Sequence, residues 1–145
     1  MTNVLGRIYH NGKDYFDYKG GIVSSALGGL AIGLINCREG IEYALSSGGK
    51  EAGKVLVLAS FNLKTAEKLS TGIKNKPLAI TLSGIIPAAI ATGVTYAIHK
   101  FTPGTPYPFY STLPTLVAAP FAFGCWGLFK RNGLEKKLAL ESRGE

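Results

Sequence analysis

Four side chains in this sequence belong to the types that hold transition metals or act as nucleophiles near neutral pH: His10, Cys37, His99 and Cys125. A metal site needs three or four such groups at short, regular spacing. His10 has only Asp14 one helical turn away, and the two cysteines lie 88 residues apart, each in an apolar stretch. They read as small buried hydrophobes, not as a disulfide or a ligand pair. His99 closes an apolar run and reads as an interfacial histidine. The glycine pairs Gly20-Gly21 and Gly28-Gly29 follow no strand, and no Lys-Ser/Thr comes after them in the register of a phosphate-binding loop. Ser47–Lys50, Ser-Gly-Gly-Lys, reads as a helix stop. No serine–histidine pair sits in a supporting motif. The expectation is a protein that is not an enzyme, with no catalytic residue, no cofactor and no metal.

The chemistry that the spacing does support is packing. Ser25, Gly29, Gly33 and Cys37 recur every four residues, and Gly84, Ala88 and Thr92 do the same, with Ala89, Gly93 and Ala97 beside them. Residues four apart share one face of a helix. In lipid there is little hydrophobic drive between helices, so association rests on close backbone approach, which small side chains permit. Ser25, Gly29, Gly33, Gly84, Ala88, Ala89 and Gly93 are therefore the expected helix-packing face, either within the chain or against another subunit.

The elements that carry these faces are apolar runs. Charged residues are 17% of the chain, below the quarter usual in soluble domains, and they are unevenly placed. Between Lys76 and Lys100 lie 23 residues without Asp, Glu, Lys or Arg, and between Lys100 and Lys130 lie 29 more. A membrane core needs roughly 20 apolar helical residues to cross it. The chain thus reads as an all-α integral membrane protein, a single membrane domain over residues 1–145. Three transmembrane helices are expected at about 20–37, 77–98 and 112–129, with a charged tail at 130–145. Residues 50–73 form an amphipathic helix or, as the alternative, a fourth span. Its uncharged core, Val55–Leu63, covers only nine residues, about 13 Å of helix, which favours three spans.

The punctuation is also readable. The first helix is expected to run on from Cys37 through Ser47 and to stop at Gly48-Gly49. Pro77 suits a first turn, whereas Pro87 lies mid-span and predicts a kink. Residues 99–111 make a proline-stiffened turn. Ser111 or Thr112 caps the next helix with Pro114 in its first turn. Tyr107 and Tyr110 at one border, and Trp126, Lys130 and Arg131 at the other, are the expected interfacial anchors. Met1–Gly20 is polar, unlike a cleaved signal peptide, so any targeting would use an internal signal.

The net charge of +7 raises the question of nucleic acid. The basic residues flank apolar runs and are not interleaved with aromatics, so no nucleic-acid partner is expected. They fit anionic phospholipid headgroups at a membrane border. In a three-span arrangement twelve basic residues fall on one side and four on the other; in a four-span arrangement the tally is the same. Either way Lys64–Lys76 and the tail lie on the positive-inside face, with the proline turn opposite.

Small size, basic flanks and Gly/Ala-rich spans point to a non-catalytic accessory subunit of a larger membrane complex. Its partners would be larger membrane-protein subunits and phospholipids. Respiratory-chain complexes hold many such chains, which makes the mitochondrial inner membrane the first expectation for location, ahead of a bacterial inner membrane. One alternative is a self-assembling small pore former of holin type. Another is a glycine-zipper protein: the zipper of Ser25–Cys37 is similar in style to those of mitochondrial translocase-channel proteins, over that one helix.

Overall fold

The computed structural model describes residues 14–101 and 108–143, and among these the protein is all-helical. Helix α1 spans Tyr18–Asn36, α2 Ile41–Gly72, α3 Lys76–Phe101 and α4 Pro108–Glu141, with a 3₁₀ turn at Cys37–Glu39. The chain forms two compact units, Met1–Lys64 and Thr65–Glu145, so the division falls within α2. His10, Tyr107 and most of the proline turn (102–107) lie outside the described residues, as does the side chain of Tyr110.

Helix α1 starts where Asp17 accepts a hydrogen bond from Gly20 N (3.0 Å), the side-chain cap that an exposed first turn needs. It ends at Asn36, earlier than expected. After the 3₁₀ turn the chain reverses at Gly40, whose φ of 118° only glycine adopts readily. Gly40 N donates to Cys37 O (3.2 Å), and Ala44 N donates to Gly40 O (3.1 Å) as the next helix begins. The anticipated stop at Gly48-Gly49 does not occur: α2 runs straight through both glycines for 32 residues. A glycine inside a helix costs about 1 kcal/mol relative to alanine. Here Gly48 has a reason to stay helical, because it is where the backbone of α1 comes closest.

In the second unit Asn75 caps α3: its Oδ1 accepts from Leu78 N (3.1 Å) and its backbone oxygen from Ala79 N (2.9 Å). Pro77 thus falls in the first turn. Helix α3 continues for 26 residues with Pro87 inside it. Helix α4 begins at Pro108 rather than at Ser111 or Thr112, so Pro114 is internal and a second proline, Pro120, lies deeper still. Pro108 has no N–H to lose and its φ suits a helix start. The charged tail is not a separate element either, since α4 carries on unbroken to Glu141, about 51 Å in all at 1.5 Å per residue. Hydrogen bonds alone satisfy the helix interior, so the change from apolar to charged side chains after Phe129 gives the backbone no cause to break.

Two of these helices, α3 and α4 from Thr112 onward, are long and apolar enough to cross a membrane. What they bury is small. Their buried residues include Ala79, Ser83, Pro87, Ala88, Ala91, Thr95 and Ala119, with Phe123 the large exception. The big side chains lie outside instead, Leu34 at 70% exposure and Phe121 at 73% among them.

Candidate functional site

Two helix crossings and one charged cluster are the places where sequence-specific chemistry concentrates. In the first unit α1 and α2 run antiparallel with glycine against small residues along their length. A Cβ at Gly29 would lie 2.9 Å from Gly48 O and from Ala52 Cβ; one at Gly33 would lie 3.3 Å from Ala44 O; one at Gly28 would lie 3.3 Å from Val55. Gly21 faces Ser60 even more closely. Ser25 stands on the same face of α1, half-buried. The other half of this interface, Ala44, Gly48 and Ala52, shows the same four-residue spacing, and Ser60 lies two steps further on. It escapes a sequence reading that takes Gly48-Gly49 for a stop. At the open end of the hairpin Asp17 N donates to Ser60 O (2.9 Å), and Phe16 packs on Phe61 with centroids 6.1 Å apart.

In the second unit the α3–α4 crossing centres on Gly84. A Cβ there would lie 2.8 Å from Pro120 O and 3.5 Å from Gly124 Cα. One turn toward the basic end, Gly127 leaves room for Ser83 and Ser70. Of the other residues expected on this face, Ala88 is buried, whereas Ala89 and Gly93 are exposed, and a Cβ at Gly93 meets nothing within 4 Å; Pro87, expected as a kink, is buried beside Ala88. Pro120, Gly124 and Gly127 were not foreseen. The four-residue step from Pro120 to Gly124 was the signal available for them.

Buried hydroxyls on these helices bond back to their own backbone: Ser70 Oγ donates to Glu67 O (2.9 Å) and Ser83 Oγ to Ile80 O (2.8 Å). Asn62, fully buried, donates to Leu58 O (2.9 Å), and its Oδ1 has no partner.

The charged cluster gathers at the α2–α3 turn. Arg131 Nη1 donates to Ser70 O (2.8 Å) and Ile73 O (2.7 Å), Nη2 to Lys74 O (3.0 Å), and Nε to Glu135 Oε1 (2.9 Å). The last carbonyls of a helix lack partners within it, and a guanidinium, with five donors in a fixed fork, can serve several at once. Glu135 also receives Lys76 Nζ at 2.8 Å. Hydrogen bonds from Lys76 and then Arg131 hold its carboxyl below the ordinary carboxylate value. Lys130 pairs with Glu67 at 3.1 Å and lies 4.7 Å from the centre of the Trp126 ring. Trp126 packs beside Phe129, and its Nε1 is buried without an acceptor. Lys130 and Arg131, expected at headgroups, have protein partners. Glu67 and Glu135 carry no sequence expectation. Arg131 and Glu135 stand four residues apart on one helix, a readable pair, but the carbonyls that Arg131 caps leave no trace in residue types.

Cys37 and Cys125 are unpaired and exposed, and His99 is half-buried in the last turn of α3. Among the described residues no three His, Cys, Asp or Glu side chains come together as a metal site. No protein-family model matches the chain, and no curated protein or solved structure is significantly similar to it.

Proposed function

We propose that this chain is an integral membrane protein acting as a non-catalytic accessory subunit of a larger membrane complex. The observation that carries the reading is the inversion of side-chain size between inside and outside. Glycine, alanine and serine form the helix contacts, while Ile22, Val23, Leu27, Leu30 and Leu34 on α1, and Val117, Phe121 and Phe129 on α4, are exposed. In water a surface of that extent would drive aggregation. Lipid removes the penalty, and small residues are then what lets helices meet.

The packing of the first unit bears on how many helices cross. Gly21, Gly29 and Gly33 of α1 face Ser60, Gly48 and Ala44 of α2 along the whole hairpin. A segment so paired cannot lie flat at the interface while its partner crosses. We therefore favour four crossings over the three expected from the short Val55–Leu63 stretch. Ala52, level with Gly29, is flanked in sequence by Glu51 and Lys54, which pair with each other at 2.7 Å. That pairing offsets part of the cost of placing either charge at depth.

An accessory role is favoured over a self-assembling pore for a related reason. Gly29, Gly33 and Gly84 are already engaged within the chain, so the glycine stripes are not free to join copies together. The clear spans carry no Asp, Glu, Lys or Arg of the kind that marks a conduction or proton path. The mitochondrial inner membrane is our proposed location, on the abundance of small subunits in respiratory complexes.

The test is purification of the tagged chain from its native membrane in a mild detergent. Larger chains in fixed proportion are the expected result. Recovery of the chain alone, or as a homo-oligomer that makes vesicles leak dye, would overturn the accessory role in favour of the pore former.

A further inference from the structure

Toward the end of the α3–α4 hairpin remote from Arg131 lies an apolar groove of about 380 Å³. It is lined by Thr92, Gly93, Tyr96, Phe109, Thr112, Leu113 and Leu116, and its exposed surface is apolar, the Thr92 hydroxyl being buried. Gly93 forms an open stretch of its wall, where a Cβ would meet nothing within 4 Å. The volume lies within the range of small-ligand sites, roughly 300–1,000 Å³.

A groove whose exposed surface is apolar fits a hydrocarbon occupant where it enters. The chemistry at its rim is different. Tyr96, one of the lining residues, has Lys100 Nζ 5.9 Å from its ring centre. Lys100 is one turn further along α3 and forms no ion pair among the described residues. It is also the one Asp, Glu, Lys or Arg between Lys76 and Lys130. A lone cation beside an apolar slot matches an amphiphile with an anionic head and a hydrocarbon tail.

We propose that this groove holds one acyl chain of an anionic phospholipid, whose headgroup phosphate meets the Lys100 ammonium. The inference rests on the membrane reading above. It differs from a general attraction of lipid to the basic border, because Lys100 sits on the border that carries few positive charges. It also gives Gly93 a role outside helix packing: the absent side chain is the space in which the acyl chain lies.

The test uses the full chain in two steps. The first is flotation with phosphatidylcholine vesicles; a chain that stays at the bottom of the gradient sinks the membrane reading and this proposal with it. The second is reconstitution in phosphatidylcholine nanodiscs carrying a trace of phosphatidylglycerol, or of phosphatidylcholine as the comparison, with a diazirine in the upper acyl chain. Crosslinked peptides are mapped by mass spectrometry. We expect label concentrated on Thr92–Tyr96 and Phe109–Leu116, with about a fivefold preference for the anionic probe, the scale of one lysine near a lipid surface. Gly93→Leu, which places a side chain in the groove, should abolish that share of the label. Lys100→Gln should leave the groove labelled while equalising the two probes.

Floating protein whose label spreads evenly over exposed residues such as Leu27, Val117 and Phe121 overturns the proposal and spares the membrane reading. Equal labelling by both probes in the unaltered chain overturns the headgroup assignment. Crosslinks from Gly93 to a second copy of the chain would replace the lipid by a protein partner. Should Gly93→Leu fail to float with normal helical circular dichroism, the exposed Lys100→Gln variant decides the matter alone.

Discussion

At Arg131 three backbone carbonyls and one carboxylate share a single guanidinium. Arg131→Ala strands the carbonyls of Ser70, Ile73 and Lys74 at the end of α2, and an unmet polar group that is partly buried costs about 1–3 kcal/mol. The expected outcome is a lower unfolding midpoint in detergent and faster amide exchange around the α2–α3 turn. Arg131→Lys should recover only a small part of this, because an ammonium cannot reach three carbonyls and Glu135 together. Glu135 allows a pH test whose sign is set by its neighbours. Its carboxyl titrates below the ordinary value of 4.5 because Lys76 and Arg131 bond to the ionised form. A group lowered on folding adds stability above its unfolded value and loses it as pH falls through the folded one. Heat stability of the hairpin should therefore decline on acidification below about pH 4.5, and Glu135→Gln should flatten that part of the profile. The carboxyl is exposed, so the effect is small. An unchanged acid limb in Glu135→Gln would show that other carboxylates dominate.

Glycine carries opposite meanings at different points of α2. Gly48 lies against α1, where a Cβ would fall 2.7 Å from Gly29 O, whereas Gly53 on the same helix has open space around it. Gly48→Leu should push the two helices apart and cost about 1–3 kcal/mol or more, the usual penalty for overpacking. Gly53→Ala should stabilise by about 0.5–1 kcal/mol through helix propensity alone. Thermal unfolding of the two variants beside the parent checks both signs, and a Gly53→Ala variant no more stable than the parent would remove the propensity argument. The same contrast explains what could be read in advance. The α3–α4 hairpin was legible from run length and charge placement, since the uncharged stretches 77–99 and 101–129 are local properties of the chain. The course of α2 was not. Gly48-Gly49 satisfies every local rule for a helix stop, and only Gly29 and Gly33, some 15 to 20 positions away, keep it helical. Pro114 satisfies the same local rule for a helix start as Pro108, which is where α4 begins. Of the packing face, Gly29, Gly33 and Gly84 were visible from their spacing, but their partners Gly48, Ala52, Pro120 and Gly124 were not paired with them. Pairing across a crossing leaves no mark in either helix by itself.

For the whole molecule the open prediction concerns topology. In a Cys37→Ser, Cys125→Ser background, Thr2→Cys and Ser142→Cys report the two ends of the chain. Four crossings put both ends on one side, so an impermeant maleimide should label both from the same face of sealed vesicles. Labelling from opposite faces would restore the three-span arrangement and contradict the depth argument from Gly29 and Gly48. The basic-residue tally, equal under both arrangements, cannot make this choice.

The reversal at Gly40 also sets an order of events in time. Its neighbours in the hairpin meet at increasing distance along the chain: Gly33 with Ala44, then Gly29 with Gly48 and Ala52, then Gly28 with Val55, and last Gly21 with Ser60. Loop closure is cheapest for the shortest loop, and chains dominated by local contacts fold fast. The α1–α2 pair can therefore zip from Gly40 outward while the rest of the chain is still being synthesised. The Asp17–Ser60 hydrogen bond closes the far end last. A non-glycine residue at position 40 would then act on the rate of this first step, before the α3–α4 hairpin exists.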